Sequence, residues 1–488
     1  MNRSIFAGKL RIFRTFTASM TLLALLTAPA APTWAEAKAE TAQQVKEVRD
    51  VIQKVHLSGI SAADLQADTI EGLIQKLDDP YTEYFDEARW NEFQNSLDLN
   101  YAGIGMRLGQ DEGGFIAVEI FEGSPAVTAG LRRGDYIIAV GGSPTAGMRI
   151  DEVTGLIRGA EGTEISIRVK RGDQQLDLTV KRKQIHLPVV SGGMMEGGIG
   201  YLNVDSFSED ADEQFAVMLD VLKKAKAKGL VIDLRDNPGG LLETAKHIAE
   251  QFIPDGVLIH TRDKFGVDEP LYIRSGQSVS FPVIVLVNEN SASASEVLTA
   301  ALQDYHKAAA VGKKTYGKGS VQSLYSLPSG GVLKVTVQEY LSPDKRVVNK
   351  VGLKPDIETE GTVPQLLTGL RQAGLNDIRL EADKHSYKVG GFEFFDADLP
   401  TITDAGHLYM PARVLAASVG EQLVWNESLH AVEIGQGSAK HLFGDGTGFR
   451  NEKGTGFIEL SRFKEQYPQI EWTNDAEKTV LTVKGKEM

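Results

Sequence analysis

Apolar residues along this chain keep to different spacings, and each spacing predicts a different kind of element. Val45, Val48, Ile52 and Val55 recur every three or four residues, the period of an amphipathic helix. A second helix is expected over 67–77, stopped at Asp78-Asp79-Pro80 because proline disfavours helical backbone in the residue before it. Residues 36–96 therefore read as a helical arm, for packing or for pairing with a second copy. From 97 to 183 short strands at 115–120, 136–140 and 165–170 lie between Gly-rich turns, with a short helix at 124–131. That texture predicts one small β-rich domain.

Between 184 and 360 the pattern changes again. Apolar strands at 229–234 and 282–287 are followed by helices at 241–252 and about 294–305. Strands alternating with helices predict an α/β layered core with a mainly parallel sheet, whose sites lie beyond the carboxyl ends of the strands. Residues 361–376 read as a connection. Residues 377–488 read as a separate module of two weak repeats, with Trp425 and Trp472 at matching positions. Each copy is expected as helix, strand, turn, strand.

The first 35 residues alter this picture. Arg3, Lys9, Arg11 and Arg14 precede an apolar run at 15–28, and Thr33-Trp34-Ala35 has small residues where a signal peptidase needs them. The run is shorter than a membrane-spanning helix requires, so a cleaved signal peptide at 1–35 is expected, with an uncleaved anchor as its rival. Either reading makes the protein exported, to the cell envelope or beyond. The net charge of −14 gives no basic surface for a nucleic-acid partner. The chain has no cysteine, which excludes disulfides, thiolate nucleophiles and cysteine-bound zinc.

The chemistry rests on three segments. Asn288-Glu289-Asn290-Ser291-Ala292-Ser293-Ala294-Ser295-Glu296 is a small-residue loop between a buried strand and a helix. A serine there meets free backbone N–H groups and the positive end of the helix dipole. Ser293 with Glu296 three residues on also fits a capping box, so cap and nucleophile both stand. Gly317-Lys318-Gly319 places a lysine between glycines that permit close backbone approach; an exposed loop lysine would look the same. A lysine desolvated in an apolar site can replace histidine as general base, and the uncharged Gln322 could orient it without raising its pKa. Amides of Gly239 or Gly240, in Asn237-Pro238-Gly239-Gly240, with that of Ala294, fit an oxyanion hole. A strand-to-helix turn would also want those glycines.

Together these segments resemble the carboxyl-terminal processing proteases, or tail-specific proteases, over about residues 65–360. The motifs are Leu77-Asp78-Asp79-Pro80-Tyr81-Thr82-Glu83-Tyr84-Phe85, Gly103-Ile104-Gly105, Ser124-Pro125-Ala126 with Ala129-Gly130-Leu131, Leu234 to Gly240, Ser291 to Glu296, Gly317-Lys318-Gly319 with Gln322, and Gly352-Leu353-Lys354-Pro355-Asp356. The resemblance implies a multidomain α/β protein with a crotonase/ClpP-like protease core, an inserted PDZ domain at 97–183 and a serine endopeptidase activity without cofactor or metal. It implies Ser293 as nucleophile, Lys318 as base and Gln322 as its partner, with Ser291 and Ser295 as decoys. It also implies that Tyr101, Ala102, Gly103, Ile104 and Gly105 capture the free C terminus of a protein or peptide substrate. Arg158 is a candidate for coupling tail binding to the core. The 377–488 module resembles the copper-amine-oxidase N-terminal-like module of secreted bacterial proteins, here without a copper site, and is expected to serve envelope attachment or interaction. Two other readings stay open: a catalytically silent PDZ scaffold, and a crotonase-like acyl-transfer enzyme.

Overall fold

The computed structural model describes residues 41–91, 101–111, 113–185, 188–383, 386–395, 399–444, 446–475 and 478–485. The expected signal segment lies outside them. The chain divides into two compact units, Phe85–Pro188 and the remainder.

The larger unit is built on a six-stranded sheet in the order Val190–Met194, Ile199–Val204, Gly229–Asp233, Val283–Val287, Ala309–Gly312, Ile357–Glu358. The first pair is antiparallel and every later pair parallel. Gly229–Asp233 and Val283–Val287 are buried along their whole length, which accounts for their continuous apolar runs. Helices Ala211–Lys224, Leu242–Ala249 and Ala294–Asp304 cover one face and share a core with Leu202, Leu230, Ile232, Val283, Val285 and Val287. An antiparallel sheet, containing Gly256–Asp263, Asp268–Ile273, Ser320–Ser326 and Val332–Leu341, flanks this layer.

The N-terminal helix Ala42–Val55 opens with Thr41, whose hydroxyl accepts the Gln44 amide. Its stripe Val45, Val48 and Ile52 packs with Leu65, Ile70 and Leu73 onto Leu327, Leu333 and Val335 of the Ser320–Leu341 hairpin. The apolar face considered for a homodimer is thus covered by the chain itself. The second helix is shorter than expected, Ile70–Gln75, because Thr69 caps it by accepting the Gly72 amide.

The C-terminal region departs most from expectation. Instead of a connection, Thr362–Gln372 is a helix with Val363, Leu366, Leu367 and Leu370 buried. It lies on the other face of the central sheet, and the C-terminal region closes over it in one continuous core. That core joins Tyr201, Ile284, Leu286 and Val311 of the sheet to Tyr387, Phe394, Met410, Leu415, Phe463 and Leu481. Phe394 meets the Tyr201 ring edge-on at 5.5 Å, and the Arg371 guanidinium donates to the Ser418 carbonyl (Nε, 2.7 Å). The repeats exist, each as strand, helix, strand, strand: His407–Pro411, Ala412–Val419, Leu423–Asn426, Ala431–Ile434; then Thr455–Glu459, Leu460–Gln466, Ile470–Asn474, Thr479–Val483. Their first strands pair with each other, so neither copy is closed alone.

The smaller unit contains a β-sheet in the order Met106–Asp111, Gly114–Ile120, Tyr136–Val140, Glu164–Arg171, Gln174–Lys181, with helices Pro125–Thr128 and Ile150–Ile157. Met106–Asp111 is an edge strand, and Ile150–Ile157 packs beside it. Its core is Ile104, Phe115, Ala117, Leu131, Ile137, Val153, Ile167 and Val169.

Candidate active site

Two loops meet beyond the carboxyl ends of the central strands. One runs from Val283–Val287 into the helix Ala294–Asp304; the other joins Ala309–Gly312 to Ser320–Ser326. Ser293 is the residue before the first turn of that helix, with φ 54° and ψ −115°. A side chain with a Cβ rarely adopts this conformation, which costs of order 1–3 kcal/mol. Surrounding bonds hold it there. Ala292 N–H donates to the Asn237 carbonyl (3.0 Å), and the Tyr316 amide to the Ser291 carbonyl (3.1 Å). Asp236 Oδ1 accepts from the side chains of Asn288 (2.9 Å) and Asn290 (2.7 Å).

The three neighbouring serines are now distinguishable. Ser291 is fully buried and its hydroxyl donates to the Leu234 carbonyl (2.8 Å); Ser295 is fully buried and donates to the Asn237 carbonyl (2.9 Å). Ser293 is only half-buried and its side chain makes no cap hydrogen bond to the helix it opens. Only half of the expected capping pair is formed: the Ser293 amide donates to Glu296 Oε2 at 3.0 Å.

Glu296 does more than cap. Wholly buried, its Oε1 accepts from the Thr315 hydroxyl (2.5 Å) and the Gly317 amide (2.8 Å), and its Oε2 from the amides of Ser293 and Lys318 (3.0 and 2.8 Å). Tyr340, also buried, holds the other side of the same two residues: its hydroxyl lies 3.1 Å from the Ser293 carbonyl and 2.9 Å from the Lys318 carbonyl. Serine and lysine, 25 residues apart in sequence, are thus clamped through both their amides and both their carbonyls. Burial raises the Glu296 carboxyl above its ordinary range against the pull of its four donors, and pushes the Tyr340 hydroxyl up. Because three of the four Glu296 partners are backbone N–H groups, Glu296→Gln sets its amide N–H₂ against at least one of them in either orientation. We expect kcat to fall about 100-fold with KM little changed, as a small misplacement of reacting groups does. Tyr340→Phe removes one bridge and is expected to lower kcat by roughly tenfold at a stability cost of about 1–2 kcal/mol. Steady-state kinetics with thermal melts check both.

The flanking glycines are required by close approach. A Cβ on Gly319 would stand 2.3 Å from the Asn349 amide nitrogen, and one on Gly239 would stand 2.8 Å from Ser293 Cβ and 2.9 Å from the Ala294 amide nitrogen. The Pro238-Gly239 turn therefore abuts the Ser293 loop. Gly239 N–H, however, donates to Asn237 Oδ1 at 2.8 Å. Of the expected oxyanion donors, that one is engaged within its own turn, and the neighbouring Gly240 and Ala294 amides are the remaining pair.

Lys318 is half-buried. Burial, followed by the nearby Lys334 ammonium, lowers its pKa from the ordinary lysine value, while Glu296 and Asp79 oppose that shift. Its ammonium lies 4.9 Å from the centre of the Tyr81 ring, and among the described residues no hydrogen bond joins it to Ser293 Oγ. Tyr81 is held by Asp79, which accepts the Tyr81 amide (3.0 Å), the Thr82 hydroxyl (2.6 Å) and an N–H of His56 (3.2 Å). These partners carry the Asp79 pKa well below the usual carboxylate range against burial, which would raise it. Gln322 does not touch the lysine: its amide donates to the hydroxyls of Ser320 (2.9 Å) and Thr336 (3.2 Å).

In the smaller unit, Tyr101–Gly103 pairs with Lys183–Ile185 as a short ribbon, so the expected carboxylate loop is strand in its first half. Ile104 is buried, and Gly105 turns the chain at φ 77°. Arg158 is exposed at the end of Ile150–Ile157, whose last carbonyls are capped by the buried Arg182. Sequence reasoning missed Arg182, Tyr340 and the roles of Tyr81 and Glu296. Tyr81 and Glu296 stood inside quoted motifs; nothing in the sequence singled out Tyr340 or Arg182.

The α/β core thus carries a serine held at a strained helix start and a half-buried lysine clamped to it through the backbone, in a chain that also holds a PDZ unit. Residues 198–359 match the model for peptidase family S41, residues 118–171 that for the PDZ domain, and residues 21–89 that for the activating protease CtpB N-terminal domain. The chain is thus similar to the carboxyl-terminal processing proteases, and its residues 198–359 to peptidase family S41. It is 36% identical over 293 residues to the carboxy-terminal processing protease CtpA of Bacillus subtilis, covering 60% of this chain and 63% of that one. It is 34% identical over 321 residues to a probable CtpA-like serine protease of Staphylococcus aureus, covering 64% of each. The chain thus spans somewhat less than two thirds of the length of these relatives. Among solved structures, the photosystem II D1 C-terminal processing protease aligns with 69% of this chain and 98% of its own, at 25% identity and TM-score 0.47.

Proposed function

We propose that the protein is an exported serine endopeptidase that cleaves proteins near free C termini, with Ser293 as nucleophile and Lys318 as general base. The observation that carries this is the double clamp: two buried side chains, Glu296 and Tyr340, both bind the backbones of Ser293 and Lys318. Ser293 Oγ attacks the scissile carbonyl carbon while neutral Lys318 takes its proton. The carbonyl oxygen becomes an oxyanion facing the Ala294 and Gly240 amides. Lys318 then returns the proton to the departing amine, leaving an acyl-enzyme, which water hydrolyses with Lys318 again as base. The lowered lysine pKa increases the neutral fraction near pH 8. The rate is therefore expected to rise with pH along a limb centred below the ordinary lysine value of about 10.4.

Tail recognition is supported by the edge strand Met106–Asp111 beside Ile150–Ile157, since an extended peptide adds to such an edge as a further strand. The Gly103-Ile104-Gly105 turn leads directly into that strand and is the place for the terminal carboxylate. Arg158 remains a candidate for coupling the tail to the core. The test uses a reduced, carboxymethylated polypeptide with an apolar C terminus, free or amidated. The free form is expected to be cleaved at least tenfold faster at subsaturating concentration, and equal rates would remove the tail-reading function.

A further inference from the structure

The mechanism above leaves one aromatic ring without a role. Tyr81 sits in the loop between the N-terminal helices and the core, yet its face meets the Lys318 ammonium at 4.9 Å. Considerable structure is devoted to holding it there. Asp79 binds the Tyr81 amide, Thr82 and His56. Thr82 in turn accepts the Thr336 amide at 3.1 Å, tying the loop to the long strand Val332–Leu341. His56 and Thr82 are buried. The same strand carries Tyr340, so one element supports both the ring under the lysine and the clamp behind it.

We infer that Tyr81 is a positioning residue that parks Lys318, holding its protonated ammonium on the ring face and off Ser293 Oγ until the lysine loses its proton. This rests on Lys318 being the base. The argument is electrostatic. A ring face attracts an ammonium and offers a neutral amine nothing comparable, whereas Ser293 Oγ can bond either form, accepting from the ammonium or donating to the neutral amine. Loss of the charge therefore removes the hold of the ring and leaves the serine bond available. The other groups that face the lysine act by charge and not by contact with its ammonium: Glu296 and Asp79 favour the charged form while their oxygens accept from other donors, and Lys334, paired with Glu83 at 3.1 Å, disfavours it. Tyr316, on the lysine's own loop, lies beside the Tyr81 hydroxyl, and Tyr340 reaches only the Lys318 carbonyl.

Ring stabilisation of the ammonium raises the lysine pKa, so weakening the ring lowers it. The test keeps the ring's shape and drains its face of charge: Tyr81→Phe, then Tyr81→4-fluorophenylalanine and Tyr81→3,4,5-trifluorophenylalanine in the full-length chain. Lysine ionisation is read by ¹³C NMR of Lys318 Cε in the Ser293→Ala background, assigned against Lys318→Met, and needs no turnover. Cleavage of the carboxymethylated polypeptide against pH is read separately with Ser293 intact. We expect the lysine pKa to fall stepwise with fluorination, by about one unit in all. The acid limb of kcat/KM should move down with it, giving several-fold faster cleavage below the limb. A lysine pKa unchanged across the three variants overturns the proposal. A lysine pKa that falls while the kinetic limb stays fixed leaves the ring's hold on Lys318 standing and sinks its assignment as base.

Discussion

Ser293→Ala and Lys318→Ala are each expected to slow cleavage by at least about 10⁴-fold, while circular dichroism and melting remain those of the folded protein. The first removes the nucleophile, the second the only base the clamp presents to it. Ser291→Ala and Ser295→Ala are the comparison: their hydroxyls bond the Leu234 and Asn237 carbonyls, so they should cost stability of about 1 kcal/mol each and leave substantial activity. Ser293→Gly separates strain from chemistry. Glycine adopts a φ near 54° freely, so this variant should melt higher than Ser293→Ala and be equally inactive. Full activity in Ser293→Ala would show that the wrong serine has been chosen. Lys318→Arg should be inactive as well, because a guanidinium does not deprotonate in this pH range.

Deleting residues 377–488 is expected to abolish folding of the catalytic unit, an effect larger than that of any point substitution. These residues close the core over Tyr201, Ile284, Leu286, Val311, Leu366, Leu367 and Leu370. Large apolar side chains contribute roughly 1.5–3 kcal/mol each on full burial, so uncovering even half of that surface approaches the ~5–15 kcal/mol that stabilises an ordinary domain. The deletion also leaves Arg371 without the Ser418 carbonyl it binds, and the Glu196 amide without the Gly390 carbonyl (2.9 Å). Soluble yield and a cooperative urea transition check this. A deletion variant that is soluble, melts cooperatively and cleaves would restore the picture of an appended module. A milder version is Phe394→Ala, expected to cost about 3–5 kcal/mol through loss of the contacts with Tyr201 and Tyr387.

The α/β alternation at 229–305 was legible because its signals are local, whereas the antiparallel sheet that flanks it was not expected. Buried parallel strands show as unbroken apolar runs, and Gly317, Gly319 and Gly239 announce backbones that must come close. Ser293 and Lys318 were legible as residues in motifs, and the capping pattern at Glu296 was visible too. What Glu296 binds beyond its own helix was not, because Thr315, Gly317 and Lys318 come from another loop. Gln322 was assigned to the lysine on a spacing of four, but on strand Ser320–Ser326 its amide reaches Ser320 and Thr336 instead. The supposed connection 361–376 was misread because its apolar residues are fewer than in the strands around it. Their helical spacing has a purpose only once the sheet on one side and the C-terminal strands on the other are in place.

Sequence by itself determined the candidate reactive segments, the α/β alternation and the presence of a second, β-rich unit, because side-chain identity and periodicity are properties of neighbours along the chain. Tertiary structure alone decided the rest. It used up the hydroxyls of Ser291 and Ser295, which the motif had already set aside, joined Ser293 to Lys318 through Glu296 and Tyr340, set Tyr81 beneath the lysine, and merged the C-terminal repeats into the core of the larger unit. Each of these depends on groups tens to hundreds of residues apart, which only packing brings within hydrogen-bond or van der Waals range.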